Sequence, residues 1–124
     1  MLNENKTNLI LEKSYSFALL VVELYKFLTQ EKKEYILSKQ LLRCGTSIGA
    51  NVNEAQAAIS KKDFIAKISI ASKEARESKY WLMLLKDSGY INPEKQKVKL
   101  LLKEIDSIIK ITTKIVKSGQ ENEK

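Results

Sequence analysis

The sequence predicts an all-α protein, an up-and-down antiparallel four-helix bundle that forms a single domain over residues 1–124. Apolar residues recur at steps of three and four along most of the chain, which is the period of an amphipathic helix. Only four Gly and one Pro occur in the 124 residues, too few for the frequent turns of a β-rich chain. The segments between the predicted helices are short, which favours antiparallel neighbours.

The first half of the chain carries two apolar faces with no clear break between them. A single helix from Ser14 to Ala57 would be about 66 Å long, too long for the later helices to cover. We therefore predict two helices, near residues 10–29 and 34–57. The turn between them is placed near Gln30–Lys33, although this stretch contains neither Gly nor Pro.

The third helix has clear signals at both ends. Ser60 and Asp63 resemble a capping box, in which a hydroxyl and a carboxylate bond to the free backbone N–H groups of the first turn. Gly89 supplies the left-handed residue that commonly ends a helix. Between these signals the apolar residues follow a bundle-type seam. The pattern predicts a helix near residues 61–88.

The fourth helix is predicted from the pair Asn92-Pro93, which matches an N-cap followed by Pro at the first helical position. One apolar face continues from there to Gly119, so we predict a helix near residues 93–117. We expect the ordered core to cover about residues 9–117. The polar residues 119–124 are expected to form a frayed tail.

The composition argues against an enzyme. The chain contains no His, so the commonest general base and the commonest metal ligand are both missing. Cys44 lies on an apolar helix face, where it is expected to be a small buried side chain rather than a nucleophile. No Gly-rich phosphate loop occurs. We therefore expect no catalytic residue, no cofactor and no metal.

The charge favours an anionic partner. The net charge is +7, and only Arg43 and Arg76 accompany the lysines among the 22 basic residues. Lys contacts phosphate as a point charge and lacks the bidentate geometry that reads bases, so binding to RNA or DNA would be non-specific. A solvated helix face would show the same pattern. The candidate nucleic-acid contacts are Lys95, Lys99, Lys103, Lys110, Lys114 and Lys117 on helix 4, with Lys67, Lys73 and Arg76 on helix 3.

Residues 43–57 combine glycines with small polar residues inside a predicted helix, where each Gly costs about 1 kcal/mol relative to Ala. We interpret this as close approach of helices 2 and 3, with Ser47 near Ala71 and Gly45 near Ala75. Buried polar groups need partners, so an inter-helix hydrogen-bonded network is expected beside this contact. Its predicted members are Arg43, Ser47, Asn51, Glu54, Glu74 and Glu77.

The second and third helices carry a recognisable motif. The pattern Q-L-x-R-x-x-x-S-I-x-x-N-x-x-E is met at Gln40, Leu41, Arg43, Ser47, Ile48, Asn51 and Glu54, and Asp63-Phe64 and Lys73-Glu74-Ala75 follow downstream. With these motifs, the chain resembles the 23S rRNA intervening sequence proteins over about residues 9–117. Ala55 departs from the pattern, because Gly often follows the Glu in that family.

The resemblance implies a four-helix bundle that assembles into a ring-like homo-oligomer such as a pentamer. A related bundle is the accessory protein of a reverse transcriptase and binds both nucleic acid and enzyme. Two functions therefore stay open for this chain. One is a self-associating bundle that contacts RNA or DNA, and the other is a protein-interaction adaptor for a reverse transcriptase or another nucleic-acid enzyme.

Six consecutive apolar residues, 80–85, predict an interface with another copy of the chain. A helix in a small bundle buries only one stripe against its own chain, so the remaining apolar side chains must meet another chain or be covered by the N-terminal segment Leu9–Leu11. The candidate interface residues are Tyr80, Trp81, Met83 and Leu84. No apolar run approaches the roughly 20 residues that span a bilayer, and no signal peptide is evident. We therefore expect a cytoplasmic protein without membrane contact.

Overall fold

The computed structural model describes residues 4–122, which form four α-helices: α1 Glu4–Gln30, α2 Leu37–Ala55, α3 Lys61–Asp87 and α4 Gln96–Asn122. Each helix packs against the next one in the chain and α4 returns to α1, so that α1 and α3 lie at opposite corners. The described residues contain no strand. The predicted all-α four-helix bundle is confirmed.

All four helices contribute to one hydrophobic core. Its side chains recur at steps of three and four along each helix, as the sequence pattern predicts. The largest side chains that are fully buried in it are Ile10, Phe17, Leu28, Leu41, Ile48, Ile68, Leu82, Leu85, Leu101, Ile105, Ile108 and Ile115. Cys44 is also buried, as expected for a small apolar side chain.

The turn between α1 and α2 begins directly after Gln30. This is the position predicted on the ground that a single helix would be too long for the bundle. Lys33 adopts a left-handed conformation with φ of 56°. The Glu34 carboxylate then accepts hydrogen bonds from the backbone N–H groups of Ile36, Leu37 and Ser38, at 3.1, 3.0 and 2.7 Å. Glu34 thus precedes α2 as a capping residue, and the predicted start of this helix at residue 34 is three residues too early.

The signals predicted at both ends of α3 are confirmed: Ser60 caps its start, and Gly89 follows its end. The Ser60 hydroxyl accepts a hydrogen bond from the backbone N–H of Asp63 at 3.0 Å. The Asp63 carboxylate accepts from the N–H of Ile59 at 3.4 Å, so the reciprocal half of the capping box reaches one residue further back than usual. Gly89 follows the helix with φ of 87°, the left-handed conformation that favours glycine.

The fourth helix begins three residues after the predicted start, and the predicted N-cap role of Asn92 is wrong. The Asn92 side chain accepts from the N–H of Glu94 at 2.9 Å, and the Asn92 carbonyl accepts from Lys95 at 3.0 Å. These bonds form a separate turn around Pro93, and α4 begins only at Gln96. Asn92 therefore shapes a turn instead of capping the helix.

The predicted end of the fourth helix at residue 117 is also wrong. α4 continues through Gly119 to Asn122, and the remainder of the expected tail, residues 123–124, lies outside the described residues. Gly119 is buried against α3: a Cβ atom here would lie 2.7 Å from Cγ1 of Ile65 and closer still to Cδ1. This glycine permits close helix packing and does not stop the helix. At the other terminus, α1 begins at Glu4 rather than near residue 10.

The glycines of α2 approach α1, not α3 as predicted. A Cβ atom on Gly45 would lie 2.9 Å from Cγ2 of Val21, and one on Gly49 would lie 3.4 Å from the carbonyl oxygen of Ser14. The side of α2 that faces α3 instead carries Cys44. The sequence shows that small residues allow close approach, but their angular position on the helix decides which neighbour approaches.

Candidate nucleic-acid interface

The lysines predicted on α4 are exposed. Their spacing of three, four and seven residues places them on one strip of the helix, opposite the side chains that enter the core. Asp106 is the carboxylate within this strip, and it forms an ion pair with Lys79 of α3 at 2.8 Å. The remaining charge of the strip is therefore strongly positive.

The neighbouring helix α3 extends this positive surface. Arg76 donates a hydrogen bond to the Thr113 hydroxyl at 2.9 Å, so its guanidinium group is fixed beside α4. Lys73 lies one turn away and is exposed. A shallow depression of about 500 Å³ runs between the two helices, and Arg76, Lys79, Asp106, Ile109 and Lys110 line it. We call this surface the basic wall, and it consists of Lys73, Arg76, Lys79, Lys99, Lys103, Lys110, Lys114 and Lys117.

Two of the predicted contacts lie apart from the basic wall. Lys67 is on the opposite side of α3, where its ammonium group is 3.5 Å from the Glu54 carboxylate of α2. Lys95 precedes α4 and lines a cleft at the end of the bundle. Lys99 is on the wall, with its ammonium group 3.9 Å from the exposed Glu94 carboxylate. Of the nine basic residues predicted to contact nucleic acid, Lys67 and Lys95 therefore do not belong to the basic wall.

The predicted polar network is largely an ion-pair cluster between α2 and α3. Arg43 contacts Glu77, and it lies 3.6 Å from Glu74. The Trp81 indole N–H donates to Glu77 at 3.0 Å, which holds that carboxylate in place. Oε2 of Glu74 is buried without a hydrogen bond, so the charge of Arg43 is the interaction that compensates it.

Ser47 and Asn51 pair with each other and do not join α2 to α3. The Asn51 amide donates to the Ser47 carbonyl at 2.9 Å and to the Ser47 hydroxyl at 3.2 Å. Both bonds lie within α2, because residues four apart are neighbours on one helix face. The expected inter-helix bonds of these two residues are therefore replaced by local ones.

The apolar run on α3 is only partly exposed. Leu82 lies in the core and Trp81 and Met83 are half-buried, whereas Tyr80 is 60% exposed and Leu84 is 36% exposed. The rings of Tyr80 and Trp81 form an edge-to-face pair with centroids 5.1 Å apart. Tyr80 and Leu84, four residues apart on one helix face, form the apolar patch on the outer face of α3.

Three properties of the described residues concern redox, metal and membrane roles: the pKa of the Cys44 thiol, the arrangement of the acidic side chains and the polarity of the helices. Burial raises the pKa of the Cys44 thiol, and the Glu77 and Glu74 carboxylates add to the rise against the opposing effects of Ser78 and Arg43. No group of three or more Cys, Asp or Glu side chains in residues 4–122 has the arrangement of a metal site. None of the helices over the same residues is long and apolar enough to cross a membrane.

Sequence reasoning missed two features, the local cap formed by Glu34 and a cleft that depends on distant segments. No sequence motif around Glu34 indicated that its side chain caps α2; the only indication was its position before an apolar helix. The cleft at the end of the bundle joins α1, the turn at Lys32 and the loop before α4. Residues so far apart in the chain share no spacing pattern, so their proximity follows only from the tertiary structure.

The fold and its surface define a class of protein, a small basic four-helix bundle that carries one lysine-rich wall. The model of the 23S rRNA-intervening sequence protein family matches residues 6–114. The chain belongs to the 23S rRNA-intervening sequence protein family. The resemblance that the motifs around Arg43 and Asn51 indicated is thereby confirmed.

A solved structure agrees with this assignment. The chain is 46% identical to a protein of unknown function from the S23 ribosomal protein family of Bacteroides thetaiotaomicron, with a TM-score of 0.84. The match covers 90% of this chain and 98% of that one. Among curated proteins, no sequence matches this chain.

Proposed function

We propose that this protein is a non-enzymatic, self-associating bundle that contacts RNA or DNA through its basic wall, without sequence preference. The observation that carries the proposal is the exposure of five α4 lysines on one strip beside Lys73 and Arg76 of α3. Two carboxylates lie beside these lysines: that of Asp106, which Lys79 compensates, and that of Glu94, which is 3.9 Å from the Lys99 ammonium group. The single buried cysteine suits a reducing cytoplasm, where we place the protein.

Lysines on a wall of this kind bind phosphates by releasing counterions from the nucleic acid. Each Lys makes a point-charge contact, which holds the backbone but distinguishes bases poorly. None of the exposed aromatic residues of the described chain, Tyr15, Phe27, Tyr35, Tyr80 and Tyr90, belongs to the wall, so base stacking contributes little. Binding is therefore expected to be weak for one chain and to strengthen when several copies present their walls together.

Self-association is supported by apolar patches on two opposite corners of the bundle. On α1, Tyr15 is 67% exposed and Leu19 is 53% exposed. On α3, the patch consists of Tyr80 and Leu84. Two different patches on opposite corners favour head-to-tail contacts between copies, and contacts of this kind form a ring when the rotation from one copy to the next closes. A ring such as a pentamer fits this arrangement.

Titration of labelled RNA and duplex DNA at several salt concentrations tests the nucleic-acid proposal. Charge reversal of Lys99, Lys103 and Lys110 to Glu should weaken binding to all sequences alike. It should also flatten the dependence of log affinity on log salt by about 0.7–0.9 for each phosphate that the variant no longer neutralises. Reversal of Lys26, Lys33 and Lys39, which are exposed on other faces, provides a control with the same change in net charge.

The adaptor function is favoured if the wild-type protein retards neither RNA nor DNA at low salt and micromolar concentration. In that case the exposed apolar patches, rather than the lysines, would be the functional surface. The partner would then be a helical segment of a reverse transcriptase or another nucleic-acid enzyme. An equal drop in affinity in the control variant would contradict a role specific to the basic wall.

A further inference from the structure

A cleft of about 610 Å³ opens at the end of the bundle where α1 ends and α4 begins. Its apolar surface comes from Leu20, Leu24 and Phe27 of α1, Ile91 of the loop, and Val98 and Leu101 of α4. Small-molecule sites in proteins are typically concave, mostly apolar and about 300–1,000 Å³ in volume. The cleft therefore has the size and the surface of a ligand site.

The rim of the cleft is positively charged. Lys32, Lys95 and Lys97 line it together with a single carboxylate, that of Glu23. Lys97 and Glu23 are both exposed and 3.4 Å apart, so their ion pair is weak and can open to admit a ligand. The Lys32 ammonium group lies over the Phe27 ring, 5.9 Å from its centroid. An apolar floor beneath an excess of cations is complementary to an amphipathic anion.

The cleft is too short for a docked helix. It spans about two turns of α1, roughly 10 Å, whereas helices shorter than about 12–15 residues are marginal in water. Further along the groove between α1 and α4, the Lys13–Glu104 ion pair at 2.7 Å joins the two helices. An extended peptide is also a poor fit, because the surface offers few groups to bond its backbone. A small ligand with one alkyl chain is short enough for the cleft and needs no hydrogen bonds to a peptide backbone.

We propose that this cleft binds a medium-chain fatty carboxylate, with the alkyl chain on the apolar floor and the carboxylate at Lys32, Lys95 and Lys97. This ligand site is separate from the basic wall and independent of nucleic-acid binding. The alkyl chain gains affinity by leaving water, and the lysines select for the negative head group. Added salt therefore weakens binding partially and does not abolish it.

Isothermal titration of the full-length protein with decanoate, below its micelle concentration, tests the proposal. Decanol and decyltrimethylammonium serve as neutral and cationic ligands with the same alkyl chain. We expect one decanoate per chain, weaker decanol binding and weaker still cation binding. Neutralising Lys32 and Lys97 to Gln should lower decanoate affinity about tenfold, since each exposed charge contact contributes about a two- to fivefold effect.

Neutralisation of Lys26 and Lys39 to Gln is the matched control, with the same change in net charge on other faces, and it should leave decanoate affinity unchanged. Leu20→Trp fills the cleft and should abolish binding. A thermal melt of that variant shows whether it still folds. If it does not fold, the decanoate affinities of the Lys32/Lys97 variant and its control test the proposal. Equal binding of all three ligands, no decanoate binding, or an equal drop in affinity in the control would each overturn the proposal.

Discussion

A single carboxylate, that of Glu34, organises the turn between α1 and α2. Burial alone raises the pKa of Glu34, but hydrogen bonds from the N–H groups of Leu37, Ser38 and Ile36 and from the Ser38 hydroxyl outweigh it and hold the pKa below its ordinary value. The carboxylate also lies at the N-terminus of α2, where the helix dipole favours a negative charge. The ionised form is therefore the one that stabilises the fold.

Glu34→Gln should lower the free energy of unfolding at pH 7 by about 1 kcal/mol, the usual cost of losing a helix cap. A group with a depressed folded pKa contributes stability above its unfolded pKa and loses it as pH falls through the folded value. The difference between wild type and variant should therefore begin to shrink as the pH falls below the unfolded value of about 4.3, and it should vanish only below the depressed folded value. Urea unfolding at pH 7, 5 and 3 measures it. A difference that stays constant with pH would exclude this role of the charge.

A substitution at Gly119 that adds a single Cβ atom tests how closely α4 packs against α3. Gly→Ala inside a helix normally stabilises by about 1 kcal/mol. Here the new Cβ would meet the Ile65 side chain, so we expect Gly119→Ala to destabilise by about 1–3 kcal/mol through overpacking. In an Ile65→Ala background the clash is removed and the same change should become neutral or stabilising. Thermal melts of the four proteins give this comparison, and a gain in the wild-type background would contradict the packing argument.

At the scale of elements, Cys44 reports on the contact between α2 and α3. Its sulfur accepts a hydrogen bond from the Ser78 hydroxyl at 3.3 Å, and its raised pKa leaves little thiolate at neutral pH. We expect the thiol to react with Ellman's reagent only as fast as the two helices separate. Addition of urea below the unfolding midpoint should accelerate the reaction, and Ser78→Ala should preserve slow labelling in native buffer. Labelling at the rate of a free thiol would show that α2 and α3 do not pack closely around Cys44.

At the scale of the whole molecule, opposite apolar patches predict a head-to-tail assembly. Leu19→Glu on α1 and Leu84→Glu on α3 should each give monomers, because each removes one half of every junction. Mixing the two variants should restore dimers, since one intact α1 patch can still meet one intact α3 patch. Light scattering at micromolar concentration distinguishes these states. A wild-type monomer would refute self-association, and a mixture without dimers would refute the head-to-tail arrangement.

The lysine strip of α4 could be predicted from spacing alone, because a helix places residues three, four and seven apart on one face whatever surrounds it. Lys67 lies six residues before Lys73 and nine before Arg76, so the same rule places it on another side of α3, and the structure shows that this side faces Glu54 of α2. Spacing fixes the angle between residues on one helix, and it does not fix which neighbouring helix that angle meets.

The four helices, the apolar stripe along each of them and the family could be predicted from the sequence, because periodicity, helix ends and motifs are local properties of the chain. That Gly45 and Gly49 face α1 and that Gly119 packs on Ile65 became evident only in the folded bundle. The cleft between Leu20 and Val98 likewise forms only there. These features depend on the relative rotation and offset of packed helices. That geometry is set by the fit of all the side chains together.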